Sequence, residues 1–114
     1  MKTSLFLRVG FGDRGAIGPG KVALLEAVRD TASISAAARS LGMSYKQAWT
    51  LLEEVAACLG APVVETRAGG RSGGGAQVTA LGLDVVAAYR AMEAKAGKAI
   101  AADLRRLGAL ARPS

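Results

Sequence analysis

The chain has 114 residues, which fits one ordinary domain, and 51% of them are hydrophobic. It contains no histidine, which excludes His-based acid–base catalysis, Ser-His-Asp triads and His-ligated zinc. Its single cysteine, Cys58, excludes an internal disulfide and is expected to be a buried apolar residue. The net charge of +6 favours an anionic partner, nucleic acid before a membrane surface, although plain solubility is the alternative.

The N-terminal segment meets charged residues, Arg8 and Asp13, too soon for the apolar core of a signal peptide. No apolar run approaches the roughly 20 residues of a membrane-spanning helix. We therefore expect a cytoplasmic protein without a membrane partner. We also expect no enzyme activity and no cofactor, because no convergent set of nucleophile, base or metal ligands is visible in the sequence.

The first predicted element is a strand over Ser4 to Val9. Its Leu5 and Leu7 fall on one side of the extended chain with Val9, and Phe6 falls on the other. A Gly- and Pro-rich segment ends this strand.

A helix is predicted to follow, beginning near Pro19, since proline suits the first helical turn. Val22, Leu25 and Val28 share one face of it.

The central segment has the pattern of a helix-turn-helix. Ser35 is the predicted N-cap of a short helix, which Gly42 ends with a left-handed residue. Ser44 caps a second helix, Gln47 completes a capping box, and Gly60 ends the helix. The apolar stripe of the second helix comprises Ala48, Leu51, Leu52, Val55 and Leu59.

Two short strands, PVVETR and AQVT, flank the glycine-rich stretch RAGGRSGGGAQ at residues 67–77. A phosphate-binding P-loop is disfavoured, because no lysine follows the glycines and a strand rather than a helix comes next. A dinucleotide-binding fingerprint is disfavoured because no βαβ unit surrounds it. We predict a β-hairpin with this stretch at its tip, and simple flexibility is the alternative. A helix-turn-helix followed by a hairpin is the order of elements in a winged helix.

From Ala80 onward nearly all residues are good helix formers, and we predict one long helix. Its apolar stripe needs a partner, for which a second copy of the same helix is the simplest solution. A helix folded back on its own domain is the alternative. The predicted dimer-interface residues are Leu81, Val85, Tyr89, Met92, Ile100, Leu104 and Leu107.

These elements predict a mainly α fold with a small β-sheet. Residues 1–79 form a winged helix-turn-helix DNA-binding domain, and residues 80–114 form a long C-terminal dimerisation helix. The expected partners are double-stranded DNA and a second copy of the chain.

The second helix of the motif is the expected recognition helix, because its first turn would point at base edges and phosphates. Lys46 suits a phosphate or guanine, Gln47 suits adenine, and Thr50 suits a thymine methyl group. For Ser44 and Gln47, helix capping is an equal alternative to DNA contact. For Trp49, the alternative to DNA contact is packing within the domain. The predicted DNA-binding residues are Ser33, Ser35, Ser44, Tyr45, Lys46, Gln47, Trp49, Thr50, Arg67, Arg71, Ser72 and Gln77.

Three segments match a known family in order: ASISAAARSLGMSYKQAW, VVET and GGRSGGGAQVTALG. Together they resemble the N-terminal DNA-binding domain of ModE-type molybdate-responsive transcriptional regulators, and more distantly that of LysR-type regulators. The resemblance covers residues 18–89 closely. It implies a homodimer joined through the long helix, with one recognition helix for each half-site. It also implies control of genes for molybdate uptake or molybdoenzymes, with DNA contacts at residues 44–50 and 67–77.

The sequence departs from this family at its C-terminus. Full-length members continue into a molybdate-binding region, whereas this chain ends at Ser114. Three interpretations stay open: a short member that only binds DNA, a member whose sensing part is a separate effector-sensing protein, or a piece of a longer chain. A nonspecific architectural DNA binder and a winged-helix protein-interaction module are the alternative functions.

Overall fold

The computed structural model describes residues 2–70 and 73–113. Its elements follow one another as predicted for a winged helix-turn-helix. They are β1 (Val9–Gly10), β2 (Ala16–Ile17), α1 (Pro19–Thr31), α2 (Ile34–Ser40), α3 (Tyr45–Leu59), β3 (Val64–Gly70), β4 (Gly73–Val78), α4 (Ala80–Ala99) and α5 (Ala101–Leu110). Within the described ranges, no helix has both the length and the apolar character needed to cross a bilayer.

The ends of the helices in the motif are set by local side chains. Ser44 caps α3 as predicted, since its Oγ accepts a hydrogen bond from the Gln47 backbone N–H at 3.0 Å. The turn before it is made by Gly42, whose φ of +69° is left-handed as expected. The predicted cap at Ser35 is wrong. The Oγ of Ser33 accepts from the Ala36 N–H at 3.1 Å, so α2 begins two residues earlier and Ser35 lies exposed within its first turn.

The N-terminal segment is less of a strand than predicted. Residues 3–9 do alternate between half-buried and exposed, but only Val9–Gly10 pairs, antiparallel to Ala16–Ile17. The preceding residues bond to the C-terminal helices instead. The Tyr89 hydroxyl donates to the Leu7 carbonyl at 2.7 Å, and Thr3 Oγ1 donates to a carbonyl of α5 at 3.3 Å. The segment therefore lies along α4 and α5 rather than extending a sheet.

The predicted hairpin is confirmed as the antiparallel pair β3–β4. Its register places Val64 opposite Val78, with an irregularity between Arg67 and Gly70. The Ala76 N–H donates to the Ala32 carbonyl at 2.9 Å, where α1 ends. This bond fixes the base of the hairpin to the helical core.

The core contains the apolar faces of α1, α2, α3 and α4 together with Ile17 of β2 and the base of the hairpin. Cys58 is buried there as predicted, with 2% of its surface exposed. The stripe predicted for α3 is also confirmed, because Ala48, Leu52 and Val55 are buried and Leu51 and Leu59 pack beside them.

The hairpin and α4 approach each other closely at their junction. Thr79 caps α4 by accepting from the Gly82 N–H at 3.1 Å, and its own hydroxyl donates to the Pro62 carbonyl at 2.9 Å. The Thr79 N–H donates to the Val63 carbonyl at 2.9 Å. A Cβ at Gly82 would lie 2.5 Å from that same carbonyl oxygen and 2.5 Å from Cγ1 of Val78. Only glycine fits here, because the backbones approach so closely.

The single long helix predicted from Ala80 is wrong in one respect. Ile100 has φ −106° and ψ 12°, so the helix is interrupted there and α5 begins at Ala101. The nearby Gly97 lowers the helix propensity of this turn, and β-branched Ile100 adds little to it. The alternative of a helix folded back on its domain is partly realised, because the N-terminal segment covers one side of α4 and α5.

The helices α1 and α4 are joined by an ion pair. Arg90 donates to both carboxylate oxygens of Glu26, at 2.6 and 3.1 Å, and to Glu93 at 2.7 Å. The hydrogen bonds from Arg90 hold the pKa of Glu26 below its ordinary value of 4.5. The pKa of Glu26 is thus lower in the folded protein than in the unfolded chain. The ion pair therefore stabilises the fold fully at a pH above the unfolded pKa, and this stabilisation is lost as the pH falls through the folded pKa.

Replacing Glu26 with glutamine is therefore expected to reduce the free energy of unfolding at neutral pH by about 1 kcal/mol, since the pair is partly exposed. The difference from the unmodified chain should shrink toward zero as the pH falls through the lowered pKa of Glu26. Urea unfolding between pH 7 and pH 3 measures it. The control Glu53→Gln removes an exposed carboxylate of α3. If Glu26→Gln lowered the free energy of unfolding by the same amount at every pH, the ion pair with Arg90 would not be the cause of the lowered pKa of Glu26.

Candidate nucleic-acid interface

The first two turns of α3 present four of the twelve predicted DNA-binding residues to solvent. Lys46, Gln47 and Thr50 are exposed, and 52% of the Tyr45 surface is accessible. Ser44 is exposed too, but its Oγ is engaged in capping. The Thr50 hydroxyl donates to the Lys46 carbonyl at 3.1 Å, leaving its methyl group for apolar contact.

Trp49 is intermediate between the two roles expected for it. It is half-buried and packs against the core, while its ring meets that of Tyr45 edge to face. Residues four apart on a helix are neighbours, so their spacing is the signal from which this contact could have been predicted.

A cleft of about 250 Å³ connects α2, the start of α3 and the base of the hairpin. Ser33, Ser35, Tyr45 and Arg67 all line it, so the structure brings four of the predicted residues together. The lining includes hydroxyl groups and a guanidinium but no acidic side chain among the described residues. Such a set of donors suits an anionic group such as a phosphate.

The hairpin supplies its side of the interface through a cross-strand pair. Arg67 is exposed, and its Nη2 donates to Oε1 of Gln77 at 3.0 Å. A guanidinium has five N–H donors, so this bond orients Arg67 and leaves donors free. Two predicted residues of the tip, Arg71 and Ser72, lie outside the described residues.

Charge along α3 is uneven. Lys46 lies in its first turn, whereas exposed Glu53 and Glu54 lie further along. Lys21 partly offsets the second carboxylate, with Nζ 3.8 Å from Oε1 of Glu54. On α3 the side chain that suits an anion therefore lies in the first turn, next to the cleft that Tyr45 lines.

The predicted dimer-interface residues separate into three groups. Leu81, Val85 and Met92 line an apolar groove of about 290 Å³ between α4 and the β1–β2 pair, together with Phe11. Ile100 and Leu104 are half-buried, and Leu107 is 63% exposed. Tyr89 also lines the groove, although only 3% of its surface is exposed and its hydroxyl bonds to the N-terminal segment, so its place in a dimer interface stays a prediction.

Comparison with known proteins agrees with this architecture. Residues 20–83 match the family of bacterial regulatory helix-turn-helix proteins of the lysR type. The chain belongs to that family of winged helix-turn-helix regulators. Its helix-turn-helix region is of the ModE type, as the sequence resemblance indicated.

The similar proteins include molybdenum-pterin-binding protein MopB of Rhodobacter capsulatus, which is 49% identical over 72% of this chain. The molybdenum transport protein ModE of Azotobacter vinelandii is 41% identical over 68% of the chain. The chain spans only 30% and 29% of the lengths of these two relatives.

A solved structure, the CbnR DNA-binding domain in complex with DNA, has the same fold. The TM-score is 0.58 with 24% identity, over 79% of this chain and 95% of that one.

Proposed function

We propose that the chain is a dimeric, sequence-specific DNA-binding transcription regulator of the ModE type. The observation that carries this proposal is the cleft in which the start of α3, the start of α2 and Arg67 of the hairpin meet without an acidic residue among those described. In this arrangement α3 enters the major groove with Lys46, Gln47 and Thr50 toward base edges. The hairpin lies over the adjacent phosphates or minor groove.

Selection of bound duplexes from a random library tests sequence specificity. We expect a palindrome whose half-sites are separated by about one helical turn of DNA or a multiple of it. Fluorescence anisotropy with a selected duplex should then show affinity falling with salt, at a log–log slope of about −0.9 for each phosphate contact. Equal affinity for selected and random duplexes would instead favour a nonspecific architectural binder. Absence of DNA binding would favour a protein-interaction module.

The dimer of this proposal uses the apolar groove on α4 and the exposed leucines of α5. Leu107 and Leu110 are 63% and 66% exposed, and a second copy of the chain can bury such leucines in the groove. Asp84 lines the groove, whereas Arg105 and Arg106 precede Leu107, so the charges are complementary. The symmetry of such a pair gives two recognition helices related by a two-fold axis.

Replacing Leu107 with glutamate is expected to weaken the dimer by at least about tenfold, because it places a charge in an apolar interface. Sedimentation equilibrium measures the dissociation constant. The matched control is Leu83→Glu, which changes an exposed leucine of α4 that does not line the groove. A dimer that is equally weakened by both variants, or by neither, would contradict this interface.

The proposed regulation concerns molybdenum, because the relatives that share this region carry molybdenum in their names. The sensing part is proposed to be a separate effector-sensing protein or a further region of a longer chain. Titrating molybdate into the protein–DNA complex separates the possibilities. A shift in DNA affinity would assign molybdate sensing to this chain. If the affinity does not change, sensing is assigned to the separate protein or to the further region.

A further inference from the structure

Tyr45 and Trp49 form an edge-to-face aromatic pair at the start of α3. Their ring centroids are 6.2 Å apart and the ring planes meet at 81°. Tyr45 projects into solvent, whereas Trp49 is anchored against the buried core. The exposed ring of Tyr45 is therefore in contact with a half-buried side chain that packs against the core.

The supported ring forms one wall of the cleft between α2, α3 and the hairpin. Ser35 lies on the α2 side of that cleft and Arg67 on the hairpin side. The Arg67 guanidinium is itself oriented by Gln77. Three donors from three different elements thus surround one space, and each phosphate oxygen of DNA accepts several such bonds.

We propose that Trp49 is a positioning residue, which holds Tyr45 so that its hydroxyl donates to one DNA phosphate seated in this cleft beside Ser35 and Arg67. The proposal rests on the DNA-binding function proposed above. Without the ring of Trp49, an exposed tyrosine in the first helical turn would distribute among several rotamers. DNA would then have to order the side chain at the cost of affinity. Trp49 accordingly acts through Tyr45 and reads no base.

Anisotropy with the selected duplex tests this coupling. Tyr45→Phe keeps the ring and removes the hydroxyl, and we expect about a tenfold loss of affinity. Trp49→Leu should lose a similar factor, Trp49→Phe should recover most of it, and Tyr45→Phe combined with Trp49→Leu should be no weaker than Trp49→Leu alone. Unchanged affinity of Tyr45→Phe, or losses that multiply in the double variant, would overturn the proposal.

A methylphosphonate scan of the duplex identifies the phosphate. With the unmodified protein, neutralising one phosphate in each half-site should weaken binding, and with Tyr45→Phe or Trp49→Leu the same change should have a smaller effect. If urea unfolding shows that Trp49→Leu is not folded, Trp49→Met takes its place. An unmodified protein without preference for the selected duplex would refute the proposed function. If the unmodified protein does prefer the selected duplex, but Tyr45→Phe leaves the methylphosphonate scan unaltered, only the proposed role of Tyr45 and Trp49 is refuted.

Discussion

Replacing Gly82 with alanine is expected to lower the free energy of unfolding by about 3 kcal/mol, which is typical of severe overpacking. The added methyl group would lie 2.5 Å from the Val63 carbonyl oxygen and from a methyl group of Val78. The carbonyl cannot withdraw easily, since it accepts the Thr79 N–H at 2.9 Å. Moving α4 outward would instead break the bonds by which Thr79 joins the hairpin to the helix. This steric cost exceeds the roughly 1 kcal/mol by which alanine favours a helix over glycine.

Gly97→Ala is the matched control on the same helix. A Cβ there meets nothing within 4 Å, so we expect stabilisation by about 0.5–1 kcal/mol. Urea unfolding at fixed protein concentration, followed by circular dichroism and by fluorescence of the single tryptophan, measures both variants. If Gly82→Ala were as stable as the unmodified chain, α4 would not approach the hairpin as closely as the structure has it.

The elements that the sequence predicted correctly are set by nearby residues. The cap at Ser44, the turn at Gly42 and the start of α1 at Pro19 each depend on bonds or angles between close neighbours in the chain. The hairpin is also local, because its two strands adjoin in the chain. The cap of α2 was misplaced by two residues because Ser33 and Ser35 both offer a hydroxyl, and their spacing cannot choose between them.

The features that were missed depend on contacts between distant residues. The N-terminal segment bonds to α4 and α5 through Leu7 and Thr3. Their partners are Tyr89, which is 82 positions further along the chain, and Leu104, which is 101 positions further along. That packing also buries most of the Tyr89 surface, which its position in the apolar stripe did not indicate. The cleft was missed as a unit for the same reason, since it combines α2, α3 and the hairpin. Four of its lining residues, Ser33, Ser35, Tyr45 and Arg67, were nevertheless predicted one by one from residue type, whereas the hydroxyl-bearing Thr66 was not.

Replacing both Lys46 and Arg67 with alanine is expected to weaken binding of the selected duplex by about a hundredfold at low salt, through the loss of two phosphate contacts. That loss should also reduce the magnitude of the salt slope by about 1.8, twice the value for a single contact. If Lys46 instead contacts guanine, the slope should change by only about 0.9, and discrimination at one base pair should fall by about 1–3 kcal/mol. Anisotropy over a range of salt, with the selected duplex and with single-base variants of it, separates these two roles.

The control for this double variant is Lys95→Ala with Lys98→Ala, because both pairs remove two charges from a net charge of +6. These lysines are exposed near the end of α4, about 22 and 27 Å along the helix axis from its start at the hairpin. Charge beyond a Debye length of roughly 8–10 Å contributes little at physiological salt, so the control should bind nearly as well as the unmodified chain. Equal losses in the two double variants would mean that total charge, rather than the surface formed by α2, α3 and the hairpin, attracts DNA. A loss confined to Lys46 and Arg67 assigns binding to that surface, because the two variants are matched in charge and differ in its location.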